Sequence, residues 1–141
     1  MDHFVQFYKD DAYLLDQVTG FIRAGLRAGD AVVVIAAKPR RNELDKRVRG
    51  DVARAADGGQ RRLHVFGEMV NLLATKGAHE AALRLEPFRD NLARVHPMSI
   101  FCGYQIGAFA READGDAFRR VCNAHSRVSP AESYTPPANA Q

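Results

Sequence analysis

The order of apolar and polar positions along the chain predicts strands that alternate with amphipathic helices. The clearest strand is the segment 31–36 (AVVVIA), which is apolar throughout. A strand covered on both faces has this continuous pattern, whereas a strand with one exposed face alternates apolar and polar residues. Three further strands are predicted at residues 3–8, 63–66 and 98–102, the last one ended by Gly103.

The segments between these strands carry apolar residues every three or four positions, which predicts helices. The predicted helices cover residues 12–26, 40–54, 78–95 and 116–128, and a further helix opens at Glu68, runs through Val70, Leu72 and Leu73 and is broken by Gly77. Pro87 is expected to kink or split the helix over 78–95. This alternation predicts an α/β fold of three layers: a largely parallel central sheet of about four strands, with helices on both faces. We place a single domain at residues 1–130 and a tail at 131–141, its end disordered.

Composition narrows the range of functions. Among 141 residues, 46% are hydrophobic and 26% charged, with a formal net charge of +3, which is typical of a soluble globular domain. No apolar segment has the length of a membrane span, and no secretory signal is recognisable. The two cysteines give no disulfide framework, so a cytoplasmic location is expected.

Polar side chains at strand ends and on inward faces form a candidate ligand site. Glu68 directly follows the strand at 63–66, and a parallel sheet would gather it with Tyr8 and Tyr104 at the carboxyl edge. An apolar cavity with a few convergent polar groups is the general form of a small-molecule site. Glu68 has two alternatives: a helix-start acid without chemistry, or a buried acid that ties Tyr or His side chains together. The candidate set is His3, Tyr8, Glu68, Met69, Cys102, Tyr104 and His125.

Cysteine and histidine residues raise the alternative of a metal site. Cys122 and His125 are three residues apart, which places them on one face of the predicted helix 116–128, and Cys102 and His3 could join them. The spacing lacks a Cys-x-x-Cys pair, so a buried, hydrogen-bonded histidine is the favoured interpretation. We therefore predict neither a metal nor a cofactor. No catalytic constellation is recognisable, so we predict no enzymatic activity.

A basic segment, 37–41, follows the strand at 31–36. It contains no glycine, and Pro39 removes a backbone donor, so it does not have the composition of a phosphate-binding loop. Lys38, Arg40 and Arg41 could still attract an anion at a helix N-terminus, but a solvated basic face is the favoured interpretation. Nucleic-acid binding is not favoured, because no aromatic platform accompanies these cations.

Several blocks of the sequence resemble the MEDS (methanogen/methylotroph sensory) domain. HFVQFY at 3–8 and GLRAGD at 25–30 resemble its opening, and FGEMV at 66–70 and AALRLE at 81–86 its central signature. FCGY at 101–104, CNAH at 122–125 and SPAESY at 129–134 resemble its closing blocks. The chain departs from the family in a shortened middle segment before residue 66 and in Phe88 at a position usually held by tryptophan.

The resemblance implies a reduced RecA/KaiC-like core and a sensory input module. MEDS domains occur in the dichloromethane-responsive regulator and in many bacterial signalling proteins, and are thought to bind small hydrocarbon-like molecules. The leading hypothesis is a non-enzymatic cytoplasmic sensory domain that signals through a partner, such as a kinase or transcription regulator, or by self-association as a homo-oligomer. The alternatives are a ligand-free interaction module on the same fold and, more weakly, an atypical nucleotide-binding protein.

Overall fold

A five-stranded, all-parallel sheet lies at the centre of the molecule, in the order β2-β3-β4-β1-β5. The structure is a computed structural model and describes residues 2–55 and 62–132. The strands are β1 (Asp2–Tyr8), β2 (Ala31–Ile35), β3 (Leu63–Gly67), β4 (Met98–Gln105) and β5 (Arg127–Ser129). The predicted α/β class and parallel sheet are confirmed, with five strands rather than four.

Helices cover both faces of this sheet. They are α1 (Asp11–Arg27), α2 (Lys38–Ala55), α3 (Met69–Thr75), α4 (His79–Val95) and α5 (Gly115–Asn123), and two short 3₁₀ turns (Ile106–Phe109 and Glu112–Asp114) connect β4 to α5. Within the described ranges, no helix is both long and apolar enough to cross a bilayer. The predicted disorder at the end of the tail concerns residues that lie outside the described ranges.

Side-chain alternation along the strands divides the core into two parts. Val5 and Phe7 of β1 pack on one face with apolar residues of α3, α4 and α5. Tyr8 packs on the other face with apolar residues of α1 and α2. Successive strand side chains point to opposite faces, so one strand contributes to both parts of the core. We call these the α4 face and the α1 face.

The end of the chain differs from the predicted helix over 116–128. Helix α5 ends at Asn123, and residues 127–129 form β5, which pairs in parallel with β1. Two hydrogen bonds fix the turn between them: the amide of Ser126 donates to the His3 carbonyl at 2.8 Å, and the His3 amide donates to Ser126 Oγ at 2.9 Å. A strand of three residues is too short to give a periodic signal, and its partner is more than 120 positions away.

Two further predictions, at a glycine and a proline, differ from the structure. The predicted end of β4 at Gly103 is wrong, since the strand continues to Gln105. The predicted split of α4 at Pro87 is also wrong, since the helix is continuous there, and a kink at Pro87 stays a prediction. A Cβ at Gly103 would lie 3.1 Å from a methyl carbon of Leu14. The glycine therefore allows α1 to pack closely on the sheet and does not end the strand.

Two glycines of α1 offer a matched test of this close packing. A Cβ at Gly25 would lie 2.7 Å from the ring of His64 on β3, whereas a Cβ at Gly20 would meet no atom within 4 Å. We expect Gly20→Ala to raise the free energy of unfolding by about 0.5–1 kcal/mol. Gly25→Ala should lower it by about 1 kcal/mol or more, because overpacking outweighs the gain in helix propensity. Urea denaturation measures the free energy of unfolding of both variants. An equal increase in Gly20→Ala and Gly25→Ala would contradict the packing argument.

Candidate functional site

Four ionisable side chains from distant parts of the chain meet on the α4 face of the sheet. They are His3 of β1, Glu86 of α4, Cys102 of β4 and His125, which follows α5, and all four are buried. We call this set the His–Glu–Cys cluster. One donor atom from each residue lies within 4.8 Å of the others.

The register of the sheet and the ends of two helices bring these residues together. His3 pairs with Ile100, two residues before Cys102, so the side chains of His3 and Cys102 point to the same face. Glu86 is on the buried side of α4, together with Ala82 and Leu83. His125 is held above His3 by the Ser126 hydrogen bonds of the turn before β5.

The distances inside the cluster are short. Glu86 Oε2 lies 3.2 Å from Nε2 of both His3 and His125. His3 Nε2 lies 3.5 Å from Cys102 Sγ. The centroids of the two imidazole rings are 4.2 Å apart. The contacts of Glu86 Oε2 and His125 Nε2 lack the angular geometry of a hydrogen bond, however, so neither atom has a hydrogen-bond partner among the described residues.

A second layer of contacts orients the cluster. Tyr104 Oη donates to the other carboxylate oxygen of Glu86 at 2.9 Å. Arg89 Nη1 donates to Cys102 Sγ at 2.9 Å. His125 Nδ1 lies 2.6 Å from the carbonyl oxygen of Val121 and must donate to it, because a carbonyl only accepts. In the neutral ring this leaves the lone pair of His125 on Nε2, which faces the cluster.

These contacts change the protonation of the groups in the metal-free cluster. Burial alone would raise the pKa of Glu86, but His125 and His3 outweigh it and hold the pKa well below its usual range. Burial would lower the pKa of His125, yet Cys102 and Glu86 raise it to about 10. Burial would raise the pKa of Cys102, but contacts with His125 and His3 lower it. The cluster therefore favours an ionised carboxylate and thiolate, balanced by cationic groups.

A cleft opens beside the cluster, between α4 and the turn after α5. Its volume is about 500 Å³, and its lining includes Glu86 and His125 as well as the apolar side chains of Leu83, Pro87 and Ala124. Asp90, Arg94 and Arg120 also line it. The cleft thus combines apolar and charged walls with two members of the buried cluster.

The structure brings together four of the seven predicted site residues. His3, Cys102 and His125 belong to the cluster, and Tyr104 reaches it through Glu86. Sequence reasoning missed Glu86 as a site residue. The sequence feature that could have indicated Glu86 is its position three residues after Leu83, on the buried side of an amphipathic helix, where an acid needs a partner. Cys122, proposed as a helix-face partner of His125, is no member of the cluster, and α5 ends before His125.

The other predicted residues lie elsewhere. Glu68, which is 3% exposed, accepts hydrogen bonds from the Ala37 amide at 2.7 Å and from Arg40 Nε. The guanidinium of Arg40 also lies over the Tyr8 ring, at 5.9 Å from its centroid. Met69 is about half exposed. Arg40 thus links Tyr8, in the α1-face core, to Glu68, whereas Tyr104 packs in the α4-face core on the other side of the sheet.

The basic segment is also placed differently from the prediction. Helix α2 begins at Lys38, so the cations lie in its first turns rather than in a loop. Burial would lower the pKa of Arg40, but the nearby Glu68 carboxylate outweighs it and raises the pKa. Arg40 is thus held in an ion pair, while Lys38 and Arg41 are exposed. Anion binding at this helix end stays a prediction.

Comparison with known proteins gives one match. No curated protein and no solved structure matches the chain significantly. The resemblance of the blocks after residue 57 and the relation to a RecA/KaiC-like core therefore stay predictions. The family model described as "MEDS: MEthanogen/methylotroph, DcmR Sensory domain" matches residues 2–57, the segment that contains β1, α1, β2 and α2, and this confirms the resemblance over that part of the chain.

Proposed function

We propose that the chain is a non-enzymatic sensory domain that binds a small, hydrocarbon-like molecule in the cleft beside the His–Glu–Cys cluster. The match to the MEDS model suggests the sensory role. The cleft, with both apolar and charged side chains in its lining, is the observation that carries the ligand site. Binding would pass to a signalling partner, such as a kinase or transcription regulator, or to a second copy of the chain.

The dimensions and lining of the cleft suit a small ligand. Its volume of about 500 Å³ falls within the range of small-molecule sites, which is roughly 300–1,000 Å³. Leu83, Pro87 and Ala124 offer apolar contact, and Asp90, Arg94 and Arg120 offer the few charged groups that orient a ligand. A ligand seated there would press on both α4 and the turn that leads to β5.

The burial of Cys102 supports binding rather than catalysis. Its side chain is fully buried, although its neighbours lower the pKa of the thiol. Reactive cysteines are partly exposed, because the sulfur must reach its substrate. A thiolate without solvent access is better suited to holding a neighbour in place than to attacking a ligand.

A second cavity provides an internal control. It has a volume of about 480 Å³ and lies on the same face near β5, with Phe7, Ile106, Phe118 and Ala131 in its lining. Leucine in place of Ala124 would fill part of the first cavity, and leucine in place of Ala131 would fill part of the second. The two substitutions are identical in chemistry and differ only in the cavity that they occupy.

The ligand site is tested by thermal unfolding with a panel of small molecules: dichloromethane, chloroform and butanol. At about ten times its Kd, a ligand stabilises the folded state by about 1.4 kcal/mol, which raises Tm by roughly 3–5 °C. We expect at least one compound to raise Tm in the wild type and in Ala131→Leu but not in Ala124→Leu. Equal shifts in all three proteins would contradict binding in this cleft, as would no shift together with no retained molecule in native mass spectrometry.

An interaction module without a ligand is the second candidate function. It is favoured by an exposed apolar stripe on the outer side of α4, formed by Phe88, Leu92 and Val95, which are 71%, 45% and 65% exposed. These residues are four and three positions apart, so they share one helix face. Native mass spectrometry counts subunits in the same measurement. A dimer that is lost in Phe88→Ser, with no retained molecule, would support this alternative.

A further inference from the structure

We propose that the His–Glu–Cys cluster is a binding site for a divalent zinc-class ion, with His3 Nε2, Glu86 Oε2, Cys102 Sγ and His125 Nε2 as ligands. The inference goes beyond the proposed function and stands without it, because it requires no molecule in the cleft. It also departs from the expectation drawn from sequence spacing, which favoured a hydrogen-bonded histidine over a ligand.

Three separations between donor atoms fit one tetrahedral ion. With Zn–N and Zn–O bonds of about 2.05 Å and a Zn–S bond of about 2.3 Å, tetrahedral geometry places N and O about 3.3 Å apart and N and S about 3.6 Å apart. The observed distances are 3.2 Å for both Glu86–histidine pairs and 3.5 Å from His3 to Cys102. Three of the six donor–donor distances thus match tetrahedral spacing, and all four donor atoms lie within 4.8 Å of one another.

The unpartnered atoms point to the same conclusion. Glu86 Oε2 and His125 Nε2 are fully buried and have no hydrogen-bond partner among the described residues, although they lie 3.2 Å apart. Buried polar atoms are rarely left in this state, because the desolvation cost is then uncompensated. An ion between the donors would satisfy both atoms without requiring that they face each other.

The outer contacts of His125, Glu86 and Cys102 are those of a metal site, whereas His3 Nδ1 faces Asp90 Oδ1 at 3.8 Å without a hydrogen bond. The Nδ1–H of His125 donates to the Val121 carbonyl, which leaves Nε2 free to bind. Tyr104 donates to the second oxygen of Glu86, and Arg89 donates to Cys102 Sγ. Metal-binding histidines almost always donate their second nitrogen to a carbonyl or carboxylate, and ligating carboxylates are hydrogen-bonded in turn.

The donor types select the ion. A thiolate and two imidazoles exclude the oxygen-preferring Mg²⁺ and Ca²⁺ and suit Zn²⁺ or Co²⁺. One carboxylate, one thiolate and two neutral imidazoles carry a charge of −2, which a divalent ion neutralises. Four protein ligands leave no open coordination position, as in structural rather than catalytic zinc sites. The ion would therefore join β1, β4, α4 and the turn before β5.

Cobalt spectroscopy tests the site, because the sequence contains only Cys102 and Cys122. The purified full chain is stripped with a chelator and titrated with Co²⁺, then with Zn²⁺. We expect one ion per chain, with the visible bands of tetrahedral Co²⁺ and a near-ultraviolet thiolate band. Both should persist in Cys122→Ser, which changes a half-buried cysteine outside the cluster. Loss of the thiolate band in Cys122→Ser, or no stoichiometric binding to the wild type, would overturn the proposal.

Two further measurements identify the ligands. Cys102→Ser should remove the thiolate band and weaken Zn²⁺ binding by at least about 100-fold, since even outer-contact changes cost 10–100-fold. X-ray absorption of zinc-loaded Cys122→Ser should give one sulfur at about 2.3 Å and three nitrogen or oxygen ligands at about 2.0–2.2 Å. The absorption measurement does not require Cys102→Ser to fold. A shell without sulfur would refute the assignment.

The outcome is separable from that of the proposed function. Metal binding is measured without any small molecule, and the cleft is tested by the Ala124→Leu and Ala131→Leu pair. If Zn²⁺ does not bind but dichloromethane does, the metal proposal fails alone. If Zn²⁺ binds and no compound shifts Tm, the small-molecule proposal fails alone.

Discussion

Replacing Glu86 with glutamine is expected to lower the free energy of unfolding of the metal-free protein by about 3–5 kcal/mol. Glu86 is 1% exposed, and its carboxylate faces the imidazoles of His3 and His125. Removing one partner of a buried charge network leaves the remaining charges uncompensated in a medium of low dielectric. Urea denaturation in the presence of a chelator measures the loss, which would be a large part of the typical total of about 5–15 kcal/mol.

The same substitution at Glu80 is the control. Glu80 belongs to the same helix and also has a cationic partner, Arg120, whose Nη1 lies 2.6 Å from the carboxylate. Both side chains are exposed, and exposed ion pairs contribute little to stability. The unfolding midpoint of Glu80→Gln should therefore stay close to that of the wild type. If both variants unfold at the wild-type midpoint, Glu86 does not compensate buried positive charge in the cluster, and the electrostatic description of the cluster is wrong.

Hydrophobic patterning predicted the fold well because most elements have long local signals. The α/β class and the parallel sheet followed from strands and helices that alternate along the chain. The pattern did not predict the order of the strands within the sheet, however. The apolar strand β2 is an edge strand within the described sheet, paired only with β3, and its Val33 and Ile35 are 39% and 46% exposed. Strand order depends on non-local pairing, which composition does not encode.

The sequence singled out three residues of the His–Glu–Cys cluster but did not predict that the four side chains lie together. His3, Cys102 and His125 stood out because each is a reactive residue type at a strand end or on an apolar face. Glu86 did not, since an acid within a helix usually belongs to the solvated side. The four side chains of the His–Glu–Cys cluster come into contact because of the β1–β4 register and the turn that precedes β5. The interval from His3 to His125 spans most of the chain, so no spacing rule could detect it.

Glu68 illustrates the opposite case, in which the sequence singled out a residue whose contacts are structural. Its Oε1 accepts from the amide of Ala37, which lies between β2 and α2, and its Oε2 accepts from Arg40 in α2. The acid therefore fixes the start of α2 against the start of α3. This arrangement agrees with the alternative that Glu68 is a buried acid that holds other groups together by hydrogen bonds. The groups that it holds are an arginine and a backbone amide rather than Tyr or His side chains.

We expect Glu68→Gln to lower the free energy of unfolding by about 3 kcal/mol, because it removes the charge that compensates a largely buried Arg40. Asp11→Asn is the control, since Asp11 pairs with the same guanidinium at 3.2 Å but is 73% exposed. That change should cost no more than about 1 kcal/mol. Urea denaturation compares the two. A stable Glu68→Gln protein that loses the Tm response to dichloromethane would instead assign Glu68 to a ligand site.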